Sequence, residues 1–144
     1  MHKHAPGPFL LLALDPSAAR LLPPEDTLDL SPYFGFDAAG RIDDYSKRHL
    51  WILRVFLLRA LAARGHTVLS LDLDAVFVGD LAPLLAALPP ADIVVQQDYS
   101  IPIDVARKLG FILCCGFLLI RPSPAVLAFL DRYVEAKDRF YRIR

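Results

Sequence analysis

An α/β domain with a mostly parallel sheet is what the sequence predicts, on three observations. Short apolar runs recur along the chain, stretches with helical spacing stand between them, and turns bearing Gly or Pro join the two. Runs that are apolar throughout, rather than alternating, suit strands covered on both faces.

Residues 9–14 (Phe-Leu-Leu-Leu-Ala-Leu) form the first such run, and Asp15-Pro16 closes it. Residues 16–45 carry Pro23-Pro24, Pro32, Gly35 and Gly40, which predict a helical turn over 18–22 and then a loop with one brief strand at 33–36. Ser46 reads as an N-cap, residues 47–64 as a helix, and Gly65 as its end. Apolar residues cover most of that helix's circumference, which predicts burial. They leave two narrow cationic edges, one with Lys47 and Arg54, the other with Arg48 and Arg59.

Residues 67–71 follow as a strand, Asp80 caps a short helix reaching Leu88, and residues 93–95 make the next strand. Residues 102–110 read as a loop and residues 111–120 as another apolar strand. Ser123-Pro124 then opens a final helix, with Val126, Leu127, Leu130, Tyr133, Val134 and Phe140 on its buried face. Asp131, Arg132, Glu135, Lys137 and Asp138 lie on the outer one.

Composition limits the function classes. The 144 residues suit a single domain, and 55% hydrophobic content is ample for one core. Sixteen basic side chains balance sixteen acidic ones, so no charge excess points to nucleic acid or an anionic membrane. No apolar stretch approaches the roughly 18 residues of a membrane helix, and residues 9–14 are too short for a signal peptide. Cys114 and Cys115 are adjacent in an apolar run, the spacing of core residues rather than of a disulfide framework or metal site. His2, His4, His49 and His66 read as structural or exposed.

The chemistry gathers in Leu71-Asp72-Leu73-Asp74-Ala75-Val76. On a strand, Asp72 and Asp74 would share one side, about 6.7 Å apart. Two carboxylates at the carboxyl end of a strand stand where open α/β sheets bind ligands, and together they suit a hard divalent cation. Unpaired charge at the end of an apolar strand is costly, so the pair calls for a compensating group.

This segment, with 65–71 before it and Gly79-Asp80-Leu81-Ala82-Pro83 after it, resembles the nucleotide-diphospho-sugar transferase family. The lysine-opened helix at Tyr45-Ser46-Lys47, the strand Ala91-Asp92-Ile93 to Asp98, and Cys115-Gly116-Phe117 to Ser123 extend the likeness over roughly 45–135. It implies a Rossmann-like GT-A-type fold, incomplete at both ends and spanning 1–144 as one partial domain. It also implies a hexosyl- or pentosyltransferase with a nucleotide-sugar donor and a glycan or glycoprotein acceptor. Asp74 would ligate Mn²⁺ or Mg²⁺, and Asp72 the metal shell or the ribose. Lys47 and Arg54 would lie near the diphosphate; Asp98, the candidate catalytic carboxylate, and Gln97, Cys114 and Gly116 would lie near sugar or acceptor. Relatives of this kind work in the secretory pathway or Golgi, and the likeness leans towards retention. Two expectations bear on this: Cys114 occupies the asparagine position of the family's N-x-G motif, and the likeness implies base-binding elements ahead of residue 9 and a later acidic or histidine metal ligand beyond Arg144.

Two other readings remain open on the sequence. Asp72-Leu73-Asp74-Ala75-Val76 also satisfies the motif of haloacid-dehalogenase-like phosphohydrolases, with Asp72 as nucleophile, Asp74 as acid and base, and Ser100 and Lys108 in support. The third is a folded, inactive transferase domain that retains nucleotide or metal binding.

Overall fold

The computed structural model describes residues 8–36, 43–76, 78–99 and 102–142, with the side chains of 44–48 and 137–142 left aside. His2, His4, Gly40 and Ser100 lie outside the described residues, as do the side chains of Ser46, Lys47, Arg48, Lys137, Asp138 and Phe140.

The elements follow in the order β1 (Leu11–Ala13), α1 (Pro16–Leu21), β2 (Thr27–Asp29), α2 (Asp44–Ala63), β3 (Val68–Leu71), α3 (Ala82–Ala87), β4 (Ile93–Asp98), α4 (Ile103–Leu109), β5 (Ile112–Ile120) and α5 (Pro124–Arg142). Side-chain caps set several helix starts. Asp15 accepts from the amides of Ser17 and Ala18, both at 2.8 Å, at the head of α1. Ser123 Oγ accepts from Val126 N at 3.1 Å at the head of α5, while at α3 the cap position falls to Leu81 and Asp80, one residue earlier, accepts from Ala82 N at 2.9 Å. Each takes an amide that has no partner inside its helix.

The α/β character stands, but the sheet is not mostly parallel. β1 and β2 form a small parallel pair, while β3, β5 and β4 form a second sheet in that order, with β5 antiparallel to both neighbours. Apolar content reveals that a strand is buried and says nothing of its direction. Here β5 returns between two strands that run together. The carboxyl ends of β3 and β4 therefore lie at the same end of this sheet.

Three local expectations change. Residues 102–110 are not a loop: Pro102 and Gly110 bracket α4, and Gly110 takes the left-handed conformation, φ 80°, that closes a helix at little cost for glycine. The brief strand comes earlier, at β2, because Pro32 turns residues 31–33 into a 3₁₀ segment. α2 starts at Asp44, ahead of Ser46, and is less buried than its composition suggests, with Trp51 and Phe56 exposed.

The core lies where α2 and α5 pack on one face of the three-stranded sheet. Leu58 and Ala62 from α2 meet Ile120 from β5 and Val126 and Leu130 from α5. Val68, Ile120 and Ile93 stand abreast across the sheet beneath them. Burying a Leu or Ile side chain stabilises a fold by about 1.5–3 kcal/mol, so this cluster anchors α2 to the sheet. On its other side α2 borders an apolar cleft of about 240 Å³ that Leu12, Leu28, Leu30, Leu53 and Phe56 line.

Candidate functional site

β3 ends at Leu71, so Asp72 and Asp74 stand past the strand rather than on it. Residues 73–74 form a turn, closed by Ala75 N donating to Asp72 O at 3.1 Å. The two-residue alternation expected to align the carboxylates therefore stops at Asp72. Both side chains are exposed. Asp72 also remains tied to the sheet, its amide donating to Gly116 O at 3.2 Å.

The compensating group is Arg54, in the middle of α2. Its Nη1 donates to Asp72 Oδ1 at 2.9 Å, its Nε to Ser70 Oγ at 3.0 Å, and its Nη2 to the Cys115 carbonyl at 2.5 Å. Val68, Ser70 and Asp72 alternate onto the face that α2 covers, which is why one helix residue reaches two of them. The Arg54 side chain is 21% exposed and that of Asp72 52%. An exposed ion pair contributes only about 0–1 kcal/mol, so what this one chiefly supplies is orientation. Among the described residues, these bonds use three of the five guanidinium N–H groups of Arg54.

The opposite wall is β5. A Cβ at Gly116 would lie 3.3 Å from Asp72 Oδ2 and 3.4 Å from Cys114 Sγ, so only glycine leaves both groups undisturbed. Cys114 is half-buried at this wall, whereas Cys115 is exposed and is not the core residue its surroundings suggested. Between Val95 and Gln96 the register jumps from Leu118 to Cys114, leaving residues 115–117 out of the ladder with β4. The Cys115 carbonyl that Arg54 takes belongs to that bulge.

Gln97 and Asp98 stand opposite Leu113 and Ile112, at the same end of the sheet as Asp72. Asp72 is level with Gly116, so Gln97 lies three residues of β5 further on, about 10 Å at the usual strand rise. Gln97 is exposed, and Asp98 Oδ1 accepts from Tyr99 N at 2.6 Å. Lys47 is in the first turns of α2, with its side chain outside the described set.

The structure thus brings Asp72, Arg54, Cys114 and Gly116 together, sets Asp74 one turn beyond, and strings Gln97 and Asp98 along the same sheet end. Ser70 is the member that sequence reasoning missed. Its signal was the two-residue spacing to Asp72. Two other motif positions prove structural: Ser123 Oγ donates to Asp92 Oδ2 at 2.6 Å, and Arg121 donates to the carbonyls of Pro89 and Ala91, joining β5 to the start of β4.

Among the described residues, no group of three or more His, Cys, Asp or Glu side chains gathers as a metal site. Two exposed carboxylates are nevertheless the hard oxygen set that a magnesium-like ion takes when phosphate oxygens and water complete its shell. Among the described residues, no helix is long and apolar enough to cross a membrane.

A sequence profile described as nucleotide-diphospho-sugar transferase matches residues 8–142. Comparison with curated proteins and with solved structures gave no match.

Proposed function

Because the chain belongs to the nucleotide-diphospho-sugar transferase family, we propose that Asp72 and Asp74 hold the metal–diphosphate end of a nucleotide-sugar donor for transfer to an acceptor hydroxyl. The observation that carries this reading is the placement of both carboxylates, exposed, past the carboxyl end of β3, with Asp72 fixed by Arg54. That sheet end is the position at which α/β folds take phosphorylated ligands. We read the whole as a GT-A-type unit spanning one domain, with Mn²⁺ or Mg²⁺ as cofactor.

In such a transfer the bond from the sugar's anomeric carbon to the diphosphate breaks, and a bond from that carbon to the acceptor oxygen forms. The hydroxyl proton passes to a carboxylate, for which Asp98 is the candidate, and negative charge grows on the diphosphate. A divalent ion supplies Lewis-acid stabilisation of that charge. Asp74, with no backbone ladder around it, would ligate the ion directly, with Asp72, oriented by Arg54, beside it. Lys47 adds positive charge on the diphosphate side, while Arg54 acts on Asp72. Gln97 and Asp98, further along the sheet end, are assigned to the sugar and acceptor side, and Cys114 and Gly116 shape the floor.

The phosphohydrolase alternative gains no comparable support, since Lys108 sits in the last turn of α4, exposed. The test is calorimetric titration of Mn²⁺ with UDP and with GDP. Nucleotide binding that requires the ion and disappears in Asp74→Ala supports the reading. Release of phosphate from a generic phosphomonoester, with no metal-dependent nucleotide binding, overturns it.

A further inference from the structure

Asp72 is not a symmetric carboxylate in this structure. Oδ1 faces the guanidinium of Arg54, while Oδ2 faces the gap that Gly116 leaves by having no Cβ. The guanidinium is in turn fixed at two other points, the Ser70 hydroxyl on β3 and the Cys115 carbonyl on the β5 bulge. Three nitrogens of a planar group thus meet three acceptors, on β3, just past its end and on β5. A planar fork does this with little further loss of freedom, and a lysine ammonium on a flexible stem cannot reproduce it. The stem of Arg54 also lines the apolar cleft beside α2, which limits where its head can go.

From this we propose that Arg54 is a positioning residue: it engages one oxygen of Asp72, so that this carboxylate offers the donor complex Oδ2 alone. The proposal rests on the reading of Asp72 and Asp74 as the metal and diphosphate site. Asp72 then makes a single directed contact, to the ion, to a water on it or to a ribose hydroxyl, and is not a two-oxygen chelator. The division of labour between the acids follows. Asp74 is free to adjust, while Asp72 is held in register with the β5 floor.

The test uses the full chain and calorimetric binding of Mn²⁺ with UDP, and with GDP in parallel, on Arg54→Met, Arg54→Lys, Asp72→Asn, Asp74→Ala and the double variant Arg54→Met/Asp72→Asn. Groups that orient a metal ligand are worth about 10- to 100-fold in affinity, so Arg54→Met is expected to weaken binding by that much, with Arg54→Lys recovering only part. If Arg54 acts through Asp72, the double variant binds no worse than Asp72→Asn by more than about twofold. Should Arg54→Met fail to fold by thermal melting, Ser70→Ala removes one of the three anchors and is expected to weaken binding a few-fold.

Wild-type binding in Arg54→Met, alongside loss in Asp72→Asn and Asp74→Ala, overturns the positioning role and leaves the metal site standing. A double variant whose loss is the product of the two single losses does the same. Wild-type binding in Asp72→Asn and Asp74→Ala shows that the metal-site reading itself is wrong, and this proposal falls with it.

Discussion

Two arginines on α2, Arg54 and Arg59, do opposite things with the same chemistry. Arg59 pairs with Asp131 of α5, clasping two helices that already share the core. Arg54 reaches the sheet instead and spreads its donors over Ser70, Asp72 and the Cys115 carbonyl. The Arg59 partner is an acid with no other assigned task. The Arg54 partner is one of two exposed acids past the carboxyl end of β3. A charge pair between elements that are already packed adds little, whereas the same pair at a strand terminus determines where a carboxylate points.

The largest effect should come from the core on which both clasps depend. Ile120→Ala removes a side chain only 1% exposed and is expected to lower stability by about 2–5 kcal/mol in urea denaturation, leaving neither arginine held in place. Asp72→Asn and Asp131→Asn make the direct contrast. The first should weaken Mn²⁺–UDP or Mn²⁺–GDP binding about tenfold or more, or about 1.4 kcal/mol, and the second should leave it unchanged. Equal effects from the two would erase the distinction between the clasps.

Gly116→Ala should fall between them, with binding a few-fold weaker and little change in melting temperature, because the added methyl meets Asp72 Oδ2 at 3.3 Å while the core stays intact. The smallest effect is the pH response of the Arg59 clasp. The hydrogen bond from Arg59, aided by its charge, holds the Asp131 carboxyl below its ordinary value of 3.8. A depressed folded-state value means that the clasp's contribution is complete above 3.8 and is lost as the pH falls through the lowered value. Melting temperatures of wild type and Asp131→Asn should therefore differ slightly at neutral pH and converge in acid.

Much of the fold was legible because periodicity and caps are local signals. The helices α2 and α5, the strands β3, β4 and β5, and the cap at Ser123 all sit within a residue or a few of where spacing placed them. Strand direction was not legible, since an apolar run reads the same both ways. The helix α4 was hidden because Pro102 and Gly110 read as loop punctuation, although Pro before a helix and Gly after one are also its natural boundaries. β2 was too short, and too exposed at Leu28 and Asp29, to leave a pattern. At the site, Asp72 and Asp74 announced themselves by spacing, and the cost of their charge called for a partner. That the partner is Arg54, eighteen positions earlier, depends on which face α2 lays on the sheet, and no local pattern carries that information.

The bulge at residues 115–117 has a practical consequence. It gives Cys115 a backbone carbonyl inside the Arg54 network and a thiol in solvent. A spectroscopic label on that sulfur would sit on the site's own frame, and Cys114→Ser, a near-isosteric change at the floor, would make it the sole attachment point. Nucleotide occupancy could then be followed as a change in probe signal, independently of which sugar or acceptor the protein uses.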